Sequence, residues 1–351
     1  MLHTLKSAHL TPFSGLAPGC VLDALASVGL PGDGRLIQLN SFENRVYQVF
    51  LDGGRVVVAK FYRPQRWSDA QILEEHDFVA QLARNELAVA PALPMEVDGS
   101  ANARPHCRLI GPTLAEFDTP QGPYRFSVAE RLSGRAPELG DRETLNRMGS
   151  AIGRIHEVGL QSNFEFRQRL DVETLGTASR DWLLSADCIA PEALNSWHAA
   201  ADAALAAVGA AFRTLGPGQK LRLHGDCHLG NVLWATNGPQ FVDFDDACTG
   251  PAVQDLWMLL SGSHDSMCLQ IAAVLEGYQR FMDFDRRELR LIEPLRTLRM
   301  LRHSAWIAQR WSDPAFPPAF PWFSEPAYWQ GQAANLRDQV AAMAAPPIRV
   351  P

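Results

Sequence analysis

The sequence has no long apolar run and no pattern of cysteines that predicts disulfide bonds. No stretch of about 18 consecutive apolar residues occurs among its 351 residues, so we expect no transmembrane helix. The first twenty residues lack the charged and then apolar pattern of a secretory signal. The six cysteines are scattered without a CxxC pair, which is typical of reduced thiols in a cytosolic protein. We therefore expect a cytoplasmic protein that does not bind a membrane.

The sequence contains fewer basic than acidic residues. Lys and Arg number 32 against 39 Asp and Glu, which gives a net charge of −7 at pH 7. Nucleic-acid binding requires clustered positive charge, so we expect no nucleic-acid partner. Hydrophobic residues make up 46% and charged residues 20%, which is ordinary for a globular protein. This composition excludes a disordered chain and leaves material for a sizeable core.

Strand signals dominate the first third of the chain after a short helix. Residues 1–20 look like a loose leader, and the apolar spacing over 21–30 predicts an amphipathic helix. Two segments rich in β-branched residues, 45–50 and 55–62, flank the turn sequence Asp52-Gly53-Gly54. These segments predict a β-hairpin.

A single helix is predicted within this strand-rich region. Ser68 is a suitable N-cap for a helix over 69–84. Its apolar residues Ile72 and Val79 define the inward face, and Glu75 lies on the same face, three residues after one and four before the other. The sequence therefore predicts that the Glu75 side chain is buried.

Helical periodicity dominates after a strand predicted at 124–132. Apolar spacing predicts helices around Leu145 to Ile155 and over 197–212, 254–261, 267–283, 288–310 and 327–344. Strands and helices are therefore segregated along the chain, which predicts an α+β protein of two lobes. We expect a small β-rich N-terminal lobe at 1–130 that binds a nucleotide, and a larger helical C-terminal lobe at 131–351 for catalysis and substrate. The hinge would lie at about 129–135.

The segment 221–246, LRLHGDCHLGNVLWATNGPQFVDFDD, interrupts the helical region. A short strand leads to Asp226, and the next strand follows Asn231. The pair Asn237-Gly238 is a strong hairpin signal that returns the chain to Asp243. We therefore expect Asp226, Asn231 and Asp243 to lie close together.

These three side chains suit one type of chemistry. Carboxylate and amide oxygens are the ligands that Mg²⁺ prefers, together with water and phosphate oxygens. A further carboxylate that does not bind the metal can orient a hydroxyl and take its proton. An Asp-x4-Asn spacing followed by Asp on the next strand is the layout used for phosphoryl transfer in kinases. The alternative is a set of Asp and Asn residues that only cap turns.

The sequence resembles a known group of kinases. HGDCHLGN at 224–231 and FVDFDD at 241–246 resemble the catalytic and metal-binding motifs of the aminoglycoside phosphotransferase and choline kinase superfamily. Further segments, which narrow the resemblance to the bacterial stress response kinase A family, are SFENRVYQV at 41–49, KFYRPQRWS at 60–68, GPAVQDLWMLL at 250–260, IEPLRTLRM at 292–300 and DPAFPPAFPW at 313–322. The resemblance extends from about residue 20 to 345.

The resemblance implies a fold, an activity and a set of roles. It implies a bilobal protein-kinase-like fold and an ATP-dependent Ser/Thr protein kinase that acts in stress survival, with ATP and Mg²⁺ as cofactors and a protein Ser or Thr hydroxyl as acceptor. Asp226 matches the catalytic base, and Asn231 and Asp243 match the metal ligands. Asp245 would share the face of Asp243 if the strand continued and would then support a second metal, but Asp245 and Asp246 could equally be simple loop carboxylates. We expect a monomer.

The resemblance also implies a nucleotide site in the N-terminal lobe. Lys60 matches the lysine that contacts the α- and β-phosphates, and Glu75 is the carboxylate that would hold it, in preference to Glu74. ATP would lie between the two lobes.

The phosphate-covering loop departs from that of protein kinases. There is no GxGxxG, and residues 40–44 lie between the first two strands instead. Ser41 and Asn44 would supply hydroxyl and amide donors to phosphate oxygens. By analogy of fold, the adenine would contact the backbone from Ala129 to Leu132. DFG is replaced by Asp-Phe-Asp, and no APE segment occurs.

Several alternatives stay open at this point. The generic motifs fit a small-molecule kinase for an amino sugar, choline or a homoserine-like alcohol equally well. A catalytically silent nucleotide-binding scaffold is the third possibility. Beside the catalytic Asp, Cys227 and His228 are expected to be loop residues, with Cys227 a candidate accessible thiol. Asp255 is expected to brace the catalytic loop, and His156 to be a packed core residue.

Overall fold

The structure, a computed structural model, describes residues 12–97, 107–216 and 218–350. Its α-helices are α1 (Pro18–Ser27), α2 (Asp69–Arg84), α3 (Arg142–Leu160), α4 (Ala178–Ser185), α5 (Pro191–Leu215), α6 (Gln254–Trp257), α7 (His264–Tyr278), α8 (Ile292–Gln309), α9 (Phe316–Ala319) and α10 (Pro326–Ala344). Its strands are β1 (Gly32–Leu39), β2 (Arg45–Leu51), β3 (Val56–Phe61), β4 (Cys107–Gly111), β5 (Leu114–Thr119), β6 (Gly122–Glu130), β7 (Leu221–Leu223), β8 (Val232–Ala235), β9 (Gly238–Phe241) and β10 (Cys248–Gly250).

The chain forms two compact units that interleave along the sequence. The first unit consists of residues up to Ala80, Ala90–Leu132 and Ser312–Ala315. The second consists of Gln81–Val89, Ser133–Trp311 and the residues from Phe316 onward. The predicted α+β segregation is confirmed, because the large sheet lies in the first unit and most helices lie in the second. The functional division into 1–130 and 131–351 stays a prediction.

The first unit is built on one antiparallel sheet. Its strand order is β1-β2-β3-β6-β5-β4. The predicted hairpin is confirmed as β2 and β3, in which Val46 lies opposite Lys60. On the other side of β3, Lys60 lies opposite Ser127 of β6. Alternation along β2 and β3 directs one face of the hairpin into a core that includes Val49, Val57 and Phe126.

The first helix begins and ends earlier than the apolar pattern predicted. α1 spans Pro18–Ser27 rather than 21–30. Pro18 occupies the first helical turn, where its missing N–H costs nothing, and Gly29 with φ of +78° follows the helix end. The prediction of a loose leader is wrong for residues 12–20, because Phe13 and Leu16 are buried in the core of the sheet. Residues 1–11 lie outside the described residues.

The second helix has the predicted bounds because its start is encoded locally. Ser68 Oγ accepts a hydrogen bond from the Gln71 N–H at 3.3 Å, and Gln71 Oε1 accepts one from the Ser68 N–H at 2.9 Å. This reciprocal pair is a capping box, which satisfies two N–H groups at the helix start. Glu75 is 8% exposed, which confirms the predicted inward face.

The second unit is mainly helical, and two of its helices approach closely through glycine. A Cβ atom on Gly149 of α3 would lie 1.8 Å from the Val274 carbonyl oxygen of α7, and one on Gly277 of α7 would lie 1.9 Å from the Asn146 carbonyl oxygen. These glycines therefore set the helix separation. A separate core around Trp197 and Trp329 joins α5, α8 and α10.

Small strands bring the motif segment 221–246 together within the second unit. β7 pairs with β10, and β8 pairs with β9. The β8–β9 turn is Thr236-Asn237, one residue earlier than predicted, because Ala235 pairs with Gly238. β6 also begins and ends two residues earlier than the predicted 124–132. In the described part of the chain, no helix is long and apolar enough to cross a bilayer.

Candidate active site

The loop after β7 presents Asp226 through a tight backbone crossing. Gly225 has φ of +85°, and a Cβ atom there would lie 2.1 Å from the Asp246 carbonyl oxygen. Only glycine fits this position, since it combines a left-handed conformation with close backbone approach. His224 donates from Nε2 to the Val242 carbonyl at 3.0 Å, so Nδ1 faces the Asp226 N–H at 3.4 Å. The loop is therefore held at both sides of Gly225.

Asp255 braces this loop from within the core. Its carboxylate accepts the His224 N–H at 2.8 Å and the Gly225 N–H at 2.9 Å. His156 Nε2 donates to the same carboxylate at 3.1 Å, while His156 Nδ1 accepts from the Tyr278 hydroxyl at 2.9 Å. Asp255 and His156 are fully buried. The predicted brace is confirmed, and His156 is part of it as well as of the core.

Asn231 is fixed beside Asp226. Its Nδ2 donates to the Asp226 carbonyl oxygen at 2.9 Å, and its own carbonyl accepts the Val242 N–H at 3.0 Å. Because Nδ2 is the donor, Oδ1 is the amide atom that can bind a cation. The second bond ties the Asn231 backbone to the residue before Asp243. The structure thus brings the three predicted residues of the segment into one small region.

Asp243 and Asp245 do not share a face. β9 ends at Phe241, and residues 244–246 form a 3₁₀ turn, so the expected continuation of the strand is wrong. Asp243 is exposed and has a left-handed backbone with φ of +61° and ψ of +63°. Asp245 is 4% exposed, and its carbonyl accepts a hydrogen bond from the buried Arg167. Asp246 is exposed.

The Asp226 carboxylate lies between the guanidinium of Arg299 and the imidazole of His228. Arg299 of α8 donates to Oδ1, and His228 Nε2 lies 3.4 Å from Oδ2. Burial opposes ionisation, but the His228 hydrogen bond and the Arg299 charge outweigh it and hold the pKa of Asp226 well below its ordinary value. Asp226 is therefore a carboxylate at any physiological pH.

Arg299 is the site residue that the motifs did not reveal. It is 73 residues from Asp226, and no local signal marks it among the arginines of α8. Cys227 also differs from expectation. It is fully buried, and burial raises the pKa of its thiol well above the ordinary value, so an accessible thiol is wrong.

The oxygen donors of this region fit a magnesium ion. Asn231 Oδ1 and the exposed Asp243 carboxylate are hard ligands, and Mg²⁺ commonly takes one or two protein ligands and fills its shell with water and phosphate oxygens. No three His, Cys, Asp or Glu side chains form a metal cluster within residues 12–97, 107–216 and 218–350. The donor set therefore suits a shared protein and phosphate site rather than an all-protein cage.

The predicted nucleotide residues lie in the first unit. The Lys60 ammonium is 5.5 Å from the centre of the Tyr62 ring. Glu75 Oε2 is 3.6 Å from His76 Nε2, and the same nitrogen is 2.7 Å from the Tyr62 hydroxyl. Ser127, opposite Lys60 in the sheet, is 3.0 Å from that hydroxyl. Lys60 and Glu75 thus each contact a neighbour in the Tyr62–His76 group.

The loop at residues 40–44, the predicted phosphate loop, is fastened to the first unit by an arginine. Asn44 Oδ1 accepts the Arg63 N–H at 3.1 Å, and the Arg63 guanidinium donates to the carbonyls of Glu43 at 2.9 Å and Phe42 at 3.0 Å. Asn44 is 2% exposed, so its side chain holds the loop from inside. Ser41 is partly exposed.

The predicted adenine contacts occupy different positions relative to the sheet. Ala129 lies in β6 opposite Val58 and forms a bridge to Ala92, so its backbone is inside the sheet. Leu132 lies two residues after the end of β6. The Leu132 backbone therefore lies outside the hydrogen-bonded strands of the sheet, whereas the Ala129 backbone lies within them.

Comparison with known proteins agrees with this geometry. The model of the phosphotransferase enzyme family matches residues 35–292. Stress response kinase A of Escherichia coli K12 is 39% identical over 338 residues, which cover 96% of this chain and 97% of that protein. The serine/threonine protein kinase RdoA of Salmonella typhimurium LT2 is 38% identical with the same coverage.

Solved structures share the fold at low sequence identity. A microcompartment-associated aminopropanol kinase superposes with a TM-score of 0.69 at 18% identity, covering 93% of this chain and 98% of that one. The amicoumacin kinase hAmiN in complex with AMP-PNP, Ca²⁺ and Ami superposes with a TM-score of 0.68 at 17% identity, covering 94% of each chain. At these identities the likeness concerns the fold.

Proposed function

This chain belongs to the phosphotransferase enzyme family and, within it, to the stress response kinase A group, and we propose that it transfers the γ-phosphate of ATP to a Ser or Thr hydroxyl of a protein. A kinase activity follows from the family. The protein acceptor is supported by relatives of 38 to 39% identity over 96% of the chain, one of which is named a serine/threonine protein kinase. We further propose that the enzyme acts in the cytoplasm.

Asp226 is the proposed catalytic base. It would accept a hydrogen bond from the acceptor hydroxyl and take its proton as the hydroxyl oxygen bonds to the γ-phosphorus and the bond from that phosphorus to the β–γ bridging oxygen breaks. The low pKa of Asp226 makes it a weak base. That suits phosphoryl transfer, in which the transition state is loose and orientation of the nucleophile matters more than early proton removal. Asp255 would maintain that orientation through the loop backbone.

Asn231 and Asp243 are the proposed metal ligands. Mg²⁺ held by them would neutralise charge on the phosphate oxygens. Asn231 would keep its Oδ1 in place through the bond from Nδ2 to the Asp226 carbonyl. The buried Asp245 would support the turn next to Asp243 rather than bind a second metal.

The first unit would hold the nucleotide. Lys60 would contact the α- and β-phosphates, with Glu75 on the buried face of α2 as its carboxylate partner. Ser41 and backbone N–H groups of the 40–44 loop would bind phosphate oxygens, while Asn44 supports the loop. The backbone at Leu132 would bind the adenine edge.

One observation carries the proposal. The Asp226, Asn231 and Asp243 region is assembled by backbone-anchored hydrogen bonds, and the base is ionised. A silent nucleotide-binding scaffold would need neither an ionised carboxylate in the loop nor the Asp255 brace behind it.

The test is a transfer assay with γ-labelled ATP and Mg²⁺. Purified protein is incubated alone, with dephosphorylated casein and with histone, beside an Asp226→Asn variant and an Asp265→Asn control whose side chain is fully exposed on α7. We expect label on Ser or Thr that falls at least about 100-fold in Asp226→Asn and not in the control. Thermal stabilisation by MgATP should survive in both variants.

Other results would support the alternatives. Thermal stabilisation by MgATP without protein label, followed by transfer to an added aminoglycoside, choline or homoserine, would replace the protein acceptor with a small alcohol. Nucleotide binding without any transfer would leave only a scaffold. Undiminished transfer by Asp226→Asn would remove Asp226 from the role of base.

A further inference from the structure

Each oxygen of the Asp226 carboxylate faces a nitrogen atom of another side chain. Arg299 donates to Oδ1, and His228 Nε2 is 3.4 Å from Oδ2. The acceptor hydroxyl must reach one of these oxygens, so whatever carries the hydroxyl comes against Arg299 or His228. The Arg299 side chain is 43% exposed, which leaves part of its guanidinium accessible from solvent.

The helix that carries Arg299 is positively charged in a negatively charged protein. α8 holds Arg296, Arg299 and Arg302 but a single carboxylate, Glu293. Glu293 lies 3.4 Å from Arg296, and the Asp226 carboxylate accepts from Arg299, so each of these two arginines has a carboxylate partner. The net charge of the whole chain is −7, so the residues of this helix differ in sign from the chain as a whole.

We propose that Arg299 selects acceptors in which the phosphorylated hydroxyl is next to a negative charge. This inference rests on the proposed function and deepens it, because it names the class of acceptor: an acidic segment of a protein. On approach of such a segment, the guanidinium keeps its bond to Asp226 through one N–H and offers others to the neighbouring carboxylate. An arginine carries five N–H donors, so the two contacts are compatible.

The same charge disfavours cationic acceptors. A basic segment, an aminoglycoside or choline would bring its positive charge against Arg299 beside Asp226. Like charges at contact distance oppose binding, and the opposition is largest where burial reduces the effect of solvent. Arg299 thereby sets specificity by repulsion as well as by attraction.

The experiment compares acidic and basic acceptors in one enzyme. We would measure kcat/KM for dephosphorylated casein and for histone with wild type, Arg299→Glu and Arg299→Gln. Arg337→Glu, an exposed arginine of α10, is the matched charge-reversal control. The ratio of the two values is independent of the folded fraction, so partial unfolding of a variant does not obscure the result.

The expected result is a reversal of preference. Wild type should favour casein at least tenfold, Arg299→Glu should lower the casein-to-histone ratio at least 30-fold, and Arg299→Gln should lie between. KM for ATP should stay within twofold, and the control should match wild type. A wild-type preference for histone, or an unchanged ratio in Arg299→Glu, overturns the inference while leaving the protein kinase in place. If neither casein nor histone is labelled, the proposed function is refuted and this inference with it.

Discussion

Arg63 and Asp313 are 250 positions apart in the chain, and their side chains form a hydrogen-bonded ion pair of 2.8 Å. The two residues are 7% and 2% exposed. The same Arg63 guanidinium donates to the carbonyls of the 40–44 loop and lies 3.1 Å from Glu43 Oε1. A four-residue segment from late in the chain, Ser312–Ala315, therefore completes the support of the loop in the first unit.

Neutralising Asp313 should loosen this loop. Asp313→Asn removes a carboxylate charge 2.8 Å from the buried Arg63 guanidinium, so we expect a loss of about 1 to 3 kcal/mol in the free energy of unfolding. KM for ATP should rise several-fold with a smaller change in kcat, because the loop is proposed to bind phosphate. Urea unfolding and steady-state kinetics measure both. An unchanged unfolding midpoint would mean that the pair contributes nothing to the fold.

The contact between α3 and α7 should tolerate no added methyl group. Gly149→Ala places a Cβ atom 1.8 Å from the Val274 carbonyl oxygen, so the helices must separate at a cost of about 3 kcal/mol or more. Gly331→Ala in α10 is the matched control, because a Cβ atom there meets nothing within 4 Å. That variant should gain about 0.5 to 1 kcal/mol from helix propensity. Equal stability of the two variants in urea would contradict the close packing.

Glu288 should make stability depend on pH. Burial raises the pKa of this carboxyl to about 7 from its ordinary 4.5, although the Val253 N–H, bound at 3.0 Å, lowers it. Because the folded-state pKa is raised, the stability linked to this proton is fully present below pH 4.5 and is lost as the pH rises through 7. We therefore expect Glu288→Gln to gain about 2 to 3 kcal/mol relative to wild type between pH 4.5 and 8.

The measurement is urea unfolding of wild type and Glu288→Gln across this pH range. Glu192→Gln, which removes an exposed carboxylate near the start of α5, provides the comparison. A difference between Glu288→Gln and wild type that does not change with pH would show that the buried carboxyl is ionised throughout.

Two substitutions of Asp243 should distinguish its proposed role in metal binding from the strain of its left-handed backbone. Asn tolerates the left-handed conformation that Asp243 adopts, whereas Ala does not, so Asp243→Ala should be about 1 kcal/mol less stable than Asp243→Asn without nucleotide. Both variants should lose most of the thermal stabilisation by MgATP and most transfer activity, because each removes the proposed carboxylate ligand. Titration of Mg²⁺ in a thermal shift assay tests this. Full MgATP stabilisation of Asp243→Ala, which has no side-chain oxygen, would exclude Asp243 as a ligand.

The sequence predicted best where the signal was local. The capping box at Ser68 and Gln71 set the start of α2, and the period of Ile72 and Val79 placed Glu75 on the buried side. The β2–β3 hairpin followed from two β-branched segments around a glycine turn. In each case the residues that decide the structure are within a few positions of one another.

The sequence did not predict the long-range contacts, because no local pattern encodes them. Arg299 reaches Asp226 across 73 residues, and nothing distinguishes it from the other arginines of α8. Asp313 reaches Arg63 across 250 residues. The orientation of Asp245 was wrong for a different reason, since a 3₁₀ turn after β9 changes the period on which the side-chain face depends.

The late position of Asp313 has a consequence for how the protein is made. At a translation rate of about 5 to 20 residues per second, a ribosome adds Asp313 roughly 12 to 50 seconds after Arg63. All six strands of the large sheet have been synthesised by then, and for that interval the Arg63 guanidinium lacks its contact with Asp313. The first unit is thus the first to begin folding and among the last to be complete.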